Sequence, residues 1–253
     1  MNTHPSWQTT LSKAEGHLAA QQWPAAREAA QAMTAICKEP VWLGRAWLLS
    51  ARAAWHLSDL DACLADAMLA LAQARQAAQQ DTQISALTLA AFALAELNRA
   101  EQALPLADEA LALSEVGPHF MLRPVALSCA AHLQARLGHL QESESLHMQA
   151  LSLARESGSP ERLQMAYDNL TLSLAHTHRA ARRAQDDGLA EVATRYAEKH
   201  MPQIRNLMRD ERLEDWRRRS LMDNLAALLE LRGSAQEAQE AKTLRQLAKP
   251  AKP

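Results

Sequence analysis

One helical pattern recurs in this chain every forty residues, and that ladder limits the fold more than any other feature. Ala70-Leu71-Ala72, Ala110-Leu111-Ala112 and Ala150-Leu151-Ser152 form its rungs, while Leu57, Leu97 and Leu137 keep the same step at the preceding turn. A fixed period of this kind marks stacked helical hairpins, because one hairpin cannot bury its apolar face alone and must lean on its neighbours. Such an array presents a binding surface before it presents chemistry. Hydrophobic residues make up 48% of the chain and aromatics only 4%, so Ala and Leu fill the interior and backbones approach closely, which helices use best. Seven Gly and no sustained apolar–polar alternation leave little for β-hairpins. The expected fold is all-α, a right-handed α-solenoid of about six antiparallel helical hairpins. It should form a single array over 1–247, with 248–253 as a disordered tail.

A formal charge of −2 supplies no global attraction to nucleic acid or an anionic membrane. Cys37, Cys63 and Cys129 are odd in number, far apart and free of a C-x-x-C pairing, which reads as buried thiols in a reducing compartment. No stretch has the apolar length a bilayer requires, and residues 1–10 lack a basic segment followed by an apolar run. A soluble, cytoplasmic chain is expected.

The hairpins read as 6–21 with 24–37, 41–57 with 60–79, 81–97 with 99–115, and 123–137 with 140–156. In the fifth, the first helix overruns from 161 to 185, and its partner covers 189–200, ending at Met201-Pro202 ahead of a shorter segment from Gln203. The last pairs 214–232 with 234–247. Ser58 with Asp61 and Asn98 with Glu101 look like capping boxes. Pro105, inside the second helix of the third unit, predicts a kink near Leu104.

Within a unit, the order of bulky and small residues resembles the tetratricopeptide repeat. Trp47, Ala51, Leu57, Leu60, Cys63, Ala67 and Ala70 match most fully, followed by Leu87, Ala91, Leu97, Ala100, Ala103, Ala107 and Ala110, then Leu127, Ala131, Leu137, Leu140, Ser143, His147 and Ala150. The resemblance spans roughly 6–247 and is strongest over 41–157. It departs from the family in its longer period, in Ala54 and Leu94 where the first helix usually carries an aromatic, and in the extended fifth unit. These traits look like the divergent arrays of bacterial regulators, which implies an interaction module, although no output domain is recognisable.

In such repeats the first helix of each pair lines the inner wall. The forty-residue step then brings Arg45, Arg52, Trp55 and His56, Phe92 and Glu96, His132 and Arg136, and Asp168, Asn169, Leu172 and His176 to that side. Cations, rings and amides together suit an extended peptide or an acidic tail. Trp55 and Phe92 are equally readable as packing between units. Asp168-Asn169-Leu170 recurs as Asp223-Asn224-Leu225, and an amide at Asn169 and Asn224 resembles the concave asparagines of kinesin light chains and chaperone-tail adaptors, which hold a ligand's backbone. A satisfied Asn between packed helices is the alternative.

His176 and His178, two apart, diverge around a helix and do not form a metal pair. His147 stands where a small packing residue is expected. Residues 179–219 hold ten Arg and one Lys against four Asp and four Glu, a balance of +3, but the interleaved acids favour ion pairs on a solvated helix. No nucleophile motif, zinc signature or phosphate loop is present, so no enzyme activity, metal or cofactor is expected. The leading reading is a protein- or peptide-binding module, the sensing part of a bacterial regulatory system. Two others stand beside it: a sensor of an anionic metabolite using Arg179, Arg182 or Arg183, and a homodimer through Leu221, Leu225, Leu228 and Leu229.

Overall fold

The computed structural model describes residues 6–115 and 117–249, and among these there is no β-strand. The chain divides after Cys129 into two compact units. The first holds α1 (Ser6–Ala19), α2 (Trp23–Ile36), α3 (Pro40–His56), α4 (Leu60–Gln76), α5 (Gln80–Glu96), α6 (Ala100–Leu113), a 3-10 segment (Gly117–Leu122) and the start of α7 (Arg123–Arg136). From α1 to α6 each helix packs on the next. The odd helices also pack on one another, α1 on α3 and α3 on α5, and so make a continuous layer.

The forty-residue period has a direct physical origin. α3, α4 and α5 are each 17 residues long, and each ends in a three-residue turn, so two helices and two turns make forty. The turns share one geometry. Ser58, Ala78 and Asn98 adopt left-handed φ values of 60°, 52° and 60°. Their N–H groups reach back to the carbonyls of Trp55, Arg75 and Ala95, while the next N–H, of Asp59, Gln79 and Arg99, reaches Ala54, Ala74 and Leu94. That double bond pattern is a Schellman cap, which satisfies carbonyls otherwise orphaned at a helix end.

Two capping expectations are thereby corrected. Ser58 and Asn98 terminate the preceding helices instead of starting the next ones; the cap of α4 is Asp59, whose carboxylate accepts from the Ala62 N–H at 3.2 Å. Ala78 holds its left-handed conformation without the freedom of glycine, at a cost near 1 kcal/mol. Replacing Ala78 with Gly should raise the stability of the 1–129 unit by about 0.5–1 kcal/mol, read as a higher urea midpoint with an unchanged slope. A lower midpoint would contradict the turn geometry.

Packing in this unit relies on alanine. On α5, Ala86, Ala90, Ala91, Ala93 and Ala95 are buried together with Ile84, Leu87 and Leu94, and α4 contributes Ala67, Ala70, Leu71 and Ala74. Small side chains let backbones close in, so dispersion contacts accumulate where large residues would hold helices apart. The three cysteines are free and buried, and burial pushes the Cys63 thiol up to about 12, leaving it unreactive. Pro105 lies within α6, on its exposed face, and the helix continues through it to Leu113.

The second unit begins inside α7 and continues with α8 (Leu140–Glu156), α9 (Pro160–Ala184), α10 (Asp187–Leu207), α11 (Asp215–Arg232) and α12 (Ala235–Leu247). α9 overruns as expected, to 25 residues. α10 does not stop at Met201-Pro202. Buried Met201, Ile204 and Leu207 hold its apolar face on the core, Pro202 faces solvent, and the segment expected from Gln203 is its last two turns. Ser234 and Glu237 form a reciprocal capping box at the start of α12. Ala248 is buried at the end of α12, and positions 250–253 of the expected tail lie outside the described residues.

Candidate functional site

On the odd-helix layer of the first unit lies an open recess of about 510 Å3. α1 contributes Glu15; α3 contributes Arg45, Leu48, Leu49 and Arg52; the turn into α5 and its first two turns contribute Gln79, Gln80, Asp81, Thr82 and Ser85; and the 3-10 segment contributes His119. The volume lies in the range of ligand-binding clefts. The floor is apolar, with Leu48 and Leu49 each 8% exposed, while the rim is polar.

The charges on this surface are mostly paired. Arg45 donates to Glu15 at 2.9 Å and lies over the Trp42 ring at 5.3 Å, and His119 pairs with Asp81. Arg52 makes no hydrogen bond or ion pair among the described residues. One turn further along α3, the exposed His56 ring stacks on Trp23, with centroids 4.0 Å apart and planes 11° from parallel. Desolvation, and then the neighbouring Arg52 charge, hold its imidazole below the ordinary histidine value.

Among the expected wall residues of this unit, the structure brings Arg45 and Arg52 into the recess and leaves Trp55 half-buried beside it on α3. Phe92 is buried, with its ring 6.1 Å from that of Trp55, in keeping with the packing alternative for this pair. Glu96 is half-buried at the end of α5. Sequence reasoning missed Glu15, Asp81, Thr82, Ser85 and His119. Ser85 was within reach, standing one repeat beyond Arg45; His119 lies in the Gly117-Pro118 interruption and has no counterpart in the repeat.

The remaining expected residues belong to the second unit. Asp168 and Asn224 do meet, but as partners: the Asp168 carboxylate accepts from Asn224 Nδ2 at 3.0 Å, from Ser220 Oγ at 3.1 Å and from the Gln164 amide, tying α9 to α11. Asn224 is therefore the satisfied amide between packed helices. Burial pushes the Asp168 carboxyl up to about 7 against the three donors. Asn169, Leu172 and Arg136 are half-buried. His132 is corrected from the exposed wall to the interior, where the half-buried His176 meets it edge-on at 6.3 Å.

His132 shares a buried polar cluster with Ser173 and His147. Ser173 Oγ donates to the Asn169 carbonyl at 2.9 Å, and His132 Nδ1 lies 3.1 Å and His147 Nε2 2.9 Å from the same hydroxyl. With the Ser173 proton on that carbonyl, the hydroxyl accepts from the two rings, which makes each imidazole a donor toward it. A cavity of about 20 Å3 adjoins the cluster, lined by His147, Ser173, Thr177, Tyr196 and His200 among others. Burial pushes His147 down to about 3 and His200 to about 4.

Residues of the two alternative sites are engaged within the fold. Arg182 donates to the Leu231 carbonyl and so caps the end of α11 instead of standing free for a metabolite. Leu221, Leu225, Leu228 and Leu229 have no exposed surface, so they are core residues and not a dimer face. Arg217 and Arg218 are likewise engaged, Arg217 with Glu214 and Gln164, and Arg218 with Asp215 and the carbonyls of Met208, Asp210 and Leu213.

Comparison with solved structures places the architecture among known helical repeats. The chain matches aspartyl phosphate phosphatase F from Bacillus subtilis with a TM-score of 0.61 at 13% identity, over 96% of its own length and 58% of the other's. It also matches BtubC (BKLC) from P. vanneervenii with a TM-score of 0.53 at 16% identity, over 98% of its length and 94% of the other's. The likeness is one of fold. This chain thus spans little more than half of the phosphatase. No protein-family model and no curated protein matches the sequence. Among the described residues no helix is long and apolar enough to cross a membrane, and no group of three or more His, Cys, Asp or Glu is arranged to hold a metal ion.

Proposed function

We propose that this chain is a non-catalytic interaction module that holds a segment of a partner protein in the recess of its first unit, in the service of bacterial regulation. The observation that carries the reading is the recess itself: an apolar floor, a polar rim and a guanidinium with no ion-pair partner among the described residues, on a layer of helices fixed by close packing. Rigid helices hold such a surface in place at little ordering cost on binding. The fold supports the regulatory part by analogy. One structure of this architecture is a phosphatase of aspartyl phosphate, but the likeness extends to fold alone and this chain spans only part of that protein. The buried Ser173 hydroxyl bonds the Asn169 carbonyl within its own helix, an arrangement in keeping with a packing role.

The test is to select binders from a library of random dodecapeptides displayed on phage and to compare the chain with its Ser85→Trp variant, which fills the recess from a half-buried position. Selected peptides should bind the variant at least roughly tenfold more weakly, with the helical circular dichroism unchanged. Equal affinity for both chains, or no selected peptide at all, would overturn the reading.

A further inference from the structure

We infer that the segment held in the recess presents an acidic side chain, Asp or Glu, to Arg52 and an apolar neighbour to Leu48 and Leu49; this rests on the recess being the binding site. The charge balance of the surface carries the argument. Five charged or titratable groups line it, and four have a partner within the surface: Arg45 is ion-paired with Glu15, and the Asp81 carboxylate meets the His119 ring. Arg52 alone is left unmatched among the described residues. His56, the nearest further titratable group on α3, is stacked on Trp23 and kept neutral at physiological pH, so it adds no second cation.

A single guanidinium offers a planar fork of donors that a carboxylate meets with two parallel hydrogen bonds, one charge against one. A phosphate group, with a charge between about −1.5 and −2, would leave part of its charge unmatched here. The choice of anion thus follows from the count of cations. Leu48 stands one turn before Arg52 on α3, and Leu49 is three residues away, so the apolar floor and the cation are adjacent. A ligand using both needs an acidic and an apolar residue close together in its own chain. Thr82 and Ser85, across the recess on α5, leave hydroxyl groups for the ligand's backbone.

The same dodecapeptide library, selected separately on the natural chain and on Arg52→Glu, decides the matter. Arg52 has exposed surface although its surroundings desolvate the guanidinium and hold its pKa below the ordinary value, so circular dichroism must show the fold of Arg52→Glu unchanged. The natural chain should enrich Asp or Glu at one position beside an aliphatic residue. Arg52→Glu should enrich Lys or Arg at that position and bind the original peptides at least tenfold more weakly. Peptides that Ser85→Trp rejects, but that show no acidic preference and bind Arg52→Glu unchanged, would overturn the acidic seat while leaving the recess as a binding site. Peptides indifferent to Ser85→Trp would remove both.

Discussion

Ala110→Asp should destabilise the 1–129 unit by about 4 kcal/mol or more, a large share of the roughly 5–15 kcal/mol that holds a domain of this size together. Ala110 has no exposed surface and lies in a cluster with Leu71, Ile84, Ala86, Leu87 and Ala126. Aspartate brings extra volume into space already filled, and a carboxylate among apolar side chains that offer it no donor. Both effects act in the same direction. Ala112, two residues on and exposed, is the control: the same substitution there should change stability by no more than about 0.5 kcal/mol. Urea unfolding followed by circular dichroism gives both values, and similar effects at the two positions would show the repeat register to be misplaced.

The second large effect is an acid sensitivity of the 130–253 unit. His147 and His200 are 1% and 4% exposed, and burial keeps their rings neutral until about pH 3 and 4, with neighbouring positive charge adding to the effect at each. An unfolded histidine takes up its proton near pH 6.5. Their contribution to stability is therefore whole above that pH and is lost as the pH falls toward the folded values. Asp168 acts in the opposite sense, since its carboxyl is raised to about 7 and its contribution grows as the pH drops toward 4. Two deeply buried imidazoles outweigh one half-buried carboxylate, with His178, also lowered by burial, adding to their side. Unfolding between pH 5 and 6 should take up about one net proton, so stability should fall by roughly 1 kcal/mol per pH unit. His200→Gln should flatten that slope, and a slope unchanged in the variant, or stability rising toward pH 5, would refute the assignment.

The parts of the fold that depend on periodicity were legible in the sequence. Ala70, Ala110 and Ala150 fall at equivalent buried places, and the overrun of α9 was readable because no Gly or Pro interrupts 161–185. What failed depended on a single backbone dihedral or on tertiary packing. Ser58 and Asn98 have the composition of helix starts, yet the left-handed φ that closes the previous helix claims them first. Pro202 reads as a stop, but the burial of Ile204 and Leu207 beyond it outweighs one missing hydrogen bond. The candidate site was half legible. Arg45 and Arg52 follow from the wall of the first helices, whereas Phe92, one step after Arg52, turns into the core because α5 is buried nearly all round. Asn224 has the sequence pattern of a ligand-holding amide, and only the meeting of α9 with α11 shows Asp168 as its partner.

The most direct measurement of the binding claim is the methyl NMR spectrum of the chain titrated with a selected dodecapeptide. Leu48 and Leu49 line the recess, whereas Met68 and Leu69 stand exposed on α4, each 42% accessible, on the helix layer that does not carry the recess. Shifts concentrated at the Leu48 and Leu49 methyl groups, and lost in Ser85→Trp, are the result expected. Shifts at Met68 and Leu69 with the Leu48 and Leu49 signals unmoved would contradict the recess as the seat of recognition.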